Sequence, residues 1–368
     1  MKKILSLFMG VLMIMSVLTV SANAEGEGYL VVTDYVEANS GRDVSDEIQA
    51  LIEANPNRTL FFPDGEYLLA RPILTPAMPR RSVSLKLSDY ATFRPTGEWT
   101  KGEALVQLGA EYPANDTRTP GSNYSFEGGI IDGKGVADGI SINGGRETAI
   151  RFVSIKNTVV GIHIFYGANS GSSDADISDL NIIGSGTTDS VGILSEGYDN
   201  TFTNIRIGFV NTGVHLKGGG NSLKNIHPLY QLDYTDYENS CGFIDENGDN
   251  LYDYCYSDQF GTGFRFTNGS KSRLSDCFCF WYSPKGDSHT AIKTDNKFNA
   301  IVSNMRIGFP DSENNYVLSV GQVGGSGKLK DTIISNDVAS KTYKAYVYND
   351  KPFDAIVRIF WKFILLFK

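Results

Sequence analysis

Two glutamates stand at the same place in two copies of one short unit, Glu196 in "GILSE" (192–196) and Glu246 in "GFIDE" (242–246). Between them "GVHLK" (213–217) carries His215 and Lys217. If these units stack at the usual sheet spacing of about 4.8 Å, the carboxylates lie two steps, about 9.6 Å, apart. Carboxyl groups roughly 6.5–9.5 Å apart suit inversion at a glycosidic carbon, one protonating the leaving oxygen and the other activating water. His215 and Lys217 would tune one of the two pKa values. The bland alternative is a solvated sheet face of mixed charge, whose ion pairs add little.

A second signal is compositional. From Asn225 to Phe264 there is no Lys or Arg, but Asp and Tyr recur throughout. The loops "HPLYQLDYTDYENS" (227–240) and "WYSPKGDSHT" (281–290) bring Tyr234, Tyr237, Trp281, Tyr282 and His289. Aromatic rings beside carboxylates suit sugars, which offer apolar faces and hydroxyls together. His163, His215, Lys217 and Arg265, at outward repeat positions, complete the expected substrate-binding set. The partner expected is a polysaccharide, and the negative charge favours a neutral one. The alternative for the two loops is surface decoration.

The elements that must position these residues form a repeat. Gly–apolar–x–apolar starts at 139, 161, 192, 213, 242 and 263, and again at 291 with alanine in place of glycine. Each copy continues into a Gly/Asn/Asp turn and a second short strand. Short strands in repeats of this length indicate a solenoid, and no helical period intervenes, which fits a parallel β-helix. Alternation turns Ile140/Ile142, Ile162/Ile164, Val214/Leu216 and Phe264/Phe266 inward. Asp245 and Thr294 break that inward pattern. The stretch "DVSDEIQALIEA" (43–54) reads as a helix covering the open N-terminal end, with Ile48, Leu51 and Ile52 on one face and Asp43 or Ser45 as cap.

The segment "RTLFFPDGEYLLARPI" (58–73), following that helix, and "GGIIDGKGVADGI" (128–140) resemble the first coils of the pectate-lyase-like superfamily, the group that includes the family 28 polygalacturonases, related lyases and phage tailspikes. The resemblance covers roughly residues 30 to 335. It implies an all-β, right-handed parallel β-helix solenoid, here with an N-terminal capping helix and a C-terminal amphipathic helix. It also implies a carbohydrate-active protein, hydrolase or lyase, with a non-catalytic glycan-binding or cell-surface solenoid as the alternative. Polygalacturonases carry aspartates just before the Gly–apolar–x–apolar strand, and Asp138 in "VADGI" matches the first. The next coils offer Val159-Val160 and Ser190-Val191 instead, there is no Gly-His-Gly, and Arg-Ile-Lys appears as Arg206-Ile207-Gly208. The family's catalytic set is therefore not intact.

Bulk properties bound the rest. The net charge of −9 becomes −11 without Lys2 and Lys3 (−9 − 2), which argues against a nucleic-acid partner, since that would need a basic face. Residues 1–24 read as a secretory signal ending in Ala22-Asn23-Ala24, 25–345 as the β-helix domain and 346–368 as a linker and amphipathic tail, in a secreted or extracellular protein. The tail, 352–368, would either cap the far end or lie in a membrane interface. "DENGDNLYD" (245–253) has calcium-loop spacing at its start but Tyr256 where the final acidic ligand belongs, so no metal and no cofactor are assigned. Cys255 and Cys277 align on successive coils as a buried thiol pair. Replacing Leu216 by Asp should unfold the protein cooperatively in a urea titration; a tolerated substitution would show the inward register to be wrong.

Overall fold

The computed structural model describes residues 28–75, 83–109, 124–167, 172–232, 236–312, 314–322, 324–336, 344–348 and 351–352. Within them the chain winds as a three-walled parallel coil. One wall is a 12-stranded front sheet built from the repeat strands, among them Asp138–Ile142, Val160–Ile164, Val191–Ser195, Thr212–Leu216, Cys241–Asp245 and Thr262–Phe266. The other two walls belong to a 20-stranded sheet. In three coils they are halves of a single bent strand (Asp176–Gly184, Thr201–Gly208 and Ser222–Leu229), and elsewhere they are separate short strands such as Leu251–Asp253 and Tyr256–Asp258. We call these the first and second side walls, in chain order. The single second strand expected from sequence is thus two strands meeting at a corner.

The register expected from the repeat is the observed one. Ile140 pairs with Ile162, Ile162 with Ile193, Ile193 with Val214, Val214 with Phe243, and Phe243 with Phe264. All six are buried, and Phe243 stacks on Phe264 with ring centroids 4.6 Å apart. The repeat glycines have a steric cause. A Cβ on Gly161 would lie 2.6 Å from Ile182 Cγ2, on Gly192 2.4 Å from Ile207 Cγ2, and on Gly213 2.4 Å from Pro228 Cβ. Each contact is with the second side wall of the same coil. The carbonyl of the next coil's glycine closes the space from the other side, at 2.4–2.6 Å for these three.

The corner between the side walls carries a left-handed residue in coil after coil. Asp179, Asn204 and Asn225 have φ of 57°, 56° and 54°. Asn and Asp tolerate this conformation because their short polar side chains bond locally. Here they bond along the stack, Asn225 Nδ2 donating to Asn204 Oδ1 (3.0 Å) and Asn204 Nδ2 to Asp179 Oδ1 (3.1 Å). Phe152 and Tyr254 take the same place at φ 60° and 52°, and both are exposed.

Asp245 points inward as the alternation requires, and its surroundings explain why it survives there. It is 1% exposed and accepts hydrogen bonds from Gly248 N, Asn250 Nδ2, the Tyr252 hydroxyl, Ser270 Oγ and Ser272 Oγ at 2.6–3.2 Å. A buried carboxylate with donors on both oxygens escapes most of the desolvation cost. Both oxygens of the would-be first calcium ligand are thereby engaged inside the coil. Beside it the buried side chains Asn200, Asn221, Asn250 and Ser272 accept from backbone N–H groups of the coil before, closing the turn from front sheet to first side wall.

The N-terminal helix runs Ser45–Ala54 with Ile48, Leu51 and Ile52 buried. Its N-cap residue is Val44, not Asp43 or Ser45. Asp43 still accepts from Ser45 N (2.9 Å), and it also accepts from Ala70 N (2.9 Å), fastening the helix to the neighbouring strand segment. All four cysteines are free and buried. At the other end Lys344–Tyr348 continues the front sheet and Lys351–Pro352 turns back antiparallel; residues 1–27 and the expected helix beyond 352 lie outside the described residues. Gly213→Ala should cost roughly 1–3 kcal/mol, read as a lower urea midpoint; a neutral result would mean that the wall of Pro228 gives way freely.

Candidate functional site

The outward residues of the front sheet form an ion-paired ladder. Glu196, Lys217 and Glu246 follow the paired residues Ser195, Leu216 and Asp245, so they sit in one column on consecutive coils. Lys217 Nζ lies 2.8 Å from Glu196 Oε1, and His215 Nε2 lies 2.5 Å from Glu246 Oε1. Two coils on from His215, Arg265 pairs with Asp295 at 2.7 Å. Burial opposes ionisation of Glu196, but the hydrogen bond and charge of Lys217 outweigh it and hold this carboxyl below its ordinary range.

Aromatic side chains border the ladder at its N-terminal end. Glu196 Oε2 also accepts from Tyr166 N at 3.4 Å. Tyr166, half exposed, packs edge-on against Tyr198, their centroids 6.0 Å apart. His163 lies against Phe165 at 3.8 Å. Both ring nitrogens of His163 are buried without a hydrogen-bond partner, and burial pushes its pKa down to about 4, so the imidazole is neutral at pH 7.

Asp138 sits apart, at the opposite end of its front strand. It is 2% exposed and its Oδ1 accepts from Val160 N at 3.0 Å. Burial pushes its pKa up to about 6, with the charge of Asp189 adding to the effect. Asp189 moves the other way, because it bonds Lys101 Nζ (2.6 Å) and the Thr187 hydroxyl (2.7 Å).

Several residues expected to face a ligand do not. Tyr237 and Trp281 are each 3% exposed and His289 is 1% exposed. Trp281 stacks on Phe309 and donates from Nε1 to the Phe260 carbonyl (2.6 Å). His289 is held between Asn315 Oδ1 (2.8 Å) and the Gly286 carbonyl (3.0 Å). Their loops fold back over the coil and bury these rings, giving them a packing role. Tyr282 is exposed, and Tyr234 lies outside the described residues.

Sequence reading passed over a second outward column, on the second side wall: Arg206, His227, Tyr256, Phe278 and Arg306, paired coil to coil. The repeat itself would have found it. Each of these residues lies 14 or 15 positions after the first residue of its coil's repeat unit: 192 to 206, 213 to 227, 242 to 256, 263 to 278 and 291 to 306. Among the described residues no three His, Cys, Asp or Glu side chains converge as metal ligands, and no helix is long and apolar enough to cross a membrane.

No protein family matches the chain, and no curated protein does. Solved structures do. The fold is similar to that of the Streptococcus pneumoniae surface protein and adhesin PfbA (TM-score 0.53, 13% identity, covering 87% of this chain and 99% of that one). It is similar to a tailspike variant of E. coli bacteriophage HK620 in complex with a pentasaccharide (0.62, 9%, 87% and 65%). It is also similar to the catalytic unit of a GH87 alpha-1,3-glucanase from Streptomyces thermodiastaticus (0.56, 12%, 89% and 68%). These likenesses, with the coil described above, define a right-handed parallel β-helix protein.

The Asp138 pKa has a consequence for stability. A carboxyl whose folded pKa lies near 6 against an ordinary 3.8 keeps its proton in the native state between those values. Its contribution is therefore present at low pH and lost as pH rises through about 6. Asp138→Asn, which never ionises, should stabilise the protein at pH 7.5 relative to pH 4 by up to about 3 kcal/mol, read from urea unfolding at the two pH values. An equal effect at both would remove the burial argument.

Proposed function

We propose that this is an exported carbohydrate-active β-helix protein that binds a neutral polysaccharide along the outer face of its front sheet. One observation carries the reading: over consecutive coils, Tyr166 and Tyr198 adjoin a ladder in which Glu196, Lys217, His215 and Glu246 alternate acceptor and donor. Carboxylates paired with N–H donors in this way offer both hydrogen-bond senses to a run of sugar hydroxyls, and the rings offer an apolar surface to the sugar. The likeness to a tailspike solved with a pentasaccharide and to a glucanase supports a glycan as ligand. The leader-like residues 1–24 and the likeness to a surface adhesin support export.

In this reading Glu196 and Glu246 bind rather than protonate. A general acid needs a raised pKa, whereas Lys217 holds Glu196 ionised. A second, hydrolytic reading rests on Asp138 and Asp189. Two carboxyls whose surroundings push their pKa values apart mark an acid and its ionised partner, and the upward shift of Asp138 against the downward shift of Asp189 has that form.

A panel of neutral oligosaccharides titrated against wild type and the Glu196→Gln/Glu246→Gln double variant tests the binding surface. At least a tenfold loss of affinity is expected, and unchanged affinity would sink it. Sugar release by wild type and Asp138→Asn tests the hydrolytic reading, which fails if the two release product equally.

A further inference from the structure

The second side wall carries a surface that the front-sheet reading does not use. Its centre is aromatic. His227 and Tyr256 stack with centroids 3.6 Å apart, Tyr254 meets Phe278 edge-on at 5.3 Å, and Phe278 lies parallel to Phe280 at 5.8 Å. Its two ends are cationic. Arg206 occupies the coil before His227, and Arg306 the coil after Phe278, with its guanidinium 5.8 Å from the Phe278 ring centroid. Five coils at about 4.8 Å per step place the two arginine backbones about 19 Å apart.

Two features separate this column from an ordinary solvated wall. The first is charge. On the front sheet His215, Lys217 and Arg265 each have a carboxylate partner. Among the described residues neither Arg206 nor Arg306 has a carboxylate within 4.0 Å. The carboxylate nearest in register, Asp258, is mostly buried and turned onto His227 Nε2 at 3.0 Å. In a chain of net charge −9, two guanidinium groups without a carboxylate partner, one bonded to Tyr256 and the other over the Phe278 ring, bracket the aromatic rings. The second is strain. Tyr254 takes the left-handed corner place that Asp179, Asn204, Asn225, Asp276 and Asn304 fill elsewhere, as Phe152 does at the other end of the coil, and it is 49% exposed. A bulky residue there costs stability, and such strain persists where the side chain does something else.

We infer that the wall formed by Arg206, His227, Tyr254, Tyr256, Phe278 and Arg306 is a second glycan site, selective for an oligosaccharide that carries anionic substituents. The rings supply an apolar bed for sugar rings, and each guanidinium matches the planar geometry of a carboxylate or the oxygens of a sulfate. This site is separate from the front-sheet site, which takes a neutral chain.

Calorimetric titration of the full chain tests it with three tetrasaccharides: one of hexuronic acids, one of sulfated hexoses, and one of neutral hexoses. The hexuronate or the sulfated probe should bind, and the comparison of the two identifies the anionic group. Binding should weaken at least tenfold in the Arg206→Gln/Arg306→Gln double variant and should fall as salt rises. Tyr254→Asn should weaken the same binding while raising the melting temperature, a combination that a packing role alone does not produce. Equal binding of the neutral probe by the Glu196→Gln/Glu246→Gln variant, whose front-sheet site is disabled, or no loss in the arginine double variant, would overturn the inference. So would binding of a single-stranded oligonucleotide but of no glycan, or a self-association that the arginine variant abolishes, either of which would assign the wall to another partner. Binding of neutral glycans to the front sheet is read in separate titrations, so failure of one site is distinguishable from failure of the other.

Discussion

In the six coils whose front strand carries glycine at its second position, from Gly139 to Gly263, that position presses against the opposite wall of its own coil, and the contact leaves no room for a Cβ. Gly213 illustrates it, caught between Pro228 and the carbonyl of Gly242. The contact fixes the cross-section of the coil at one end of the front sheet. Past it the walls diverge enough to hold two inward side chains per front strand, such as Val214 and Leu216, both fully buried. Because side chains alternate, the same glycine also decides which residues face outward. The candidate ligand surfaces are thus consequences of a packing constraint on the inside.

A coil pinned this way still has to turn corners, and its corners are polar. The Asn200–Asn221–Asn250 series is buried and bonded both side chain to side chain and side chain to backbone. Asp245 lies against it through Asn250. Buried polar networks cost free energy unless every member is satisfied, and what they give in return is a single register. In a solenoid, where each coil contacts only its neighbours, a slip by one coil would otherwise keep many apolar contacts intact. The changes from Asn to Ser272 and from apolar to Asp245 mark particular coils and make such a slip expensive.

The front sheet was legible because one residue type, glycine, recurs for one steric reason, and the apolar positions follow it at fixed offsets. Lys217 between Glu196 and Glu246 was legible by the same rule. The side walls were not. Their corner is set by backbone conformation at Asp179, Asn204 or Tyr254, which shows neither apolar periodicity nor a constant residue type. Without the corner, the second strand of each repeat reads as one piece, and Arg206, His227, Tyr256 and Phe278 are not seen as a column. Tyr237, Trp281 and His289 were misplaced for a different reason. Nothing in a loop sequence states whether its aromatic residues fold back onto the coil or project from it; Trp281 folds back because Phe309 and the Phe260 carbonyl receive it.

The geometry also constrains which carboxylates can act together. Asp138 opens a front strand, whereas Glu196 follows the end of another, two coils away. Five residues of strand at about 3.3 Å and two coil steps at about 4.8 Å put their backbones roughly 19 Å apart. That exceeds the separation that either inversion or retention at one glycosidic bond can use, roughly 5–9.5 Å. Asp138 and Glu196 therefore cannot serve one bond. Asp189, two residues before the strand that opens at Val191, is on the Asp138 side of the sheet, and its charge reaches Asp138. Any acid chemistry of Asp138 belongs with Asp189 and Lys101 at one edge of the front sheet, and sugar contacts by Glu196 and Lys217 belong at the other. A chain laid along the strands could meet both edges, but a chain laid along the coil axis would meet only one.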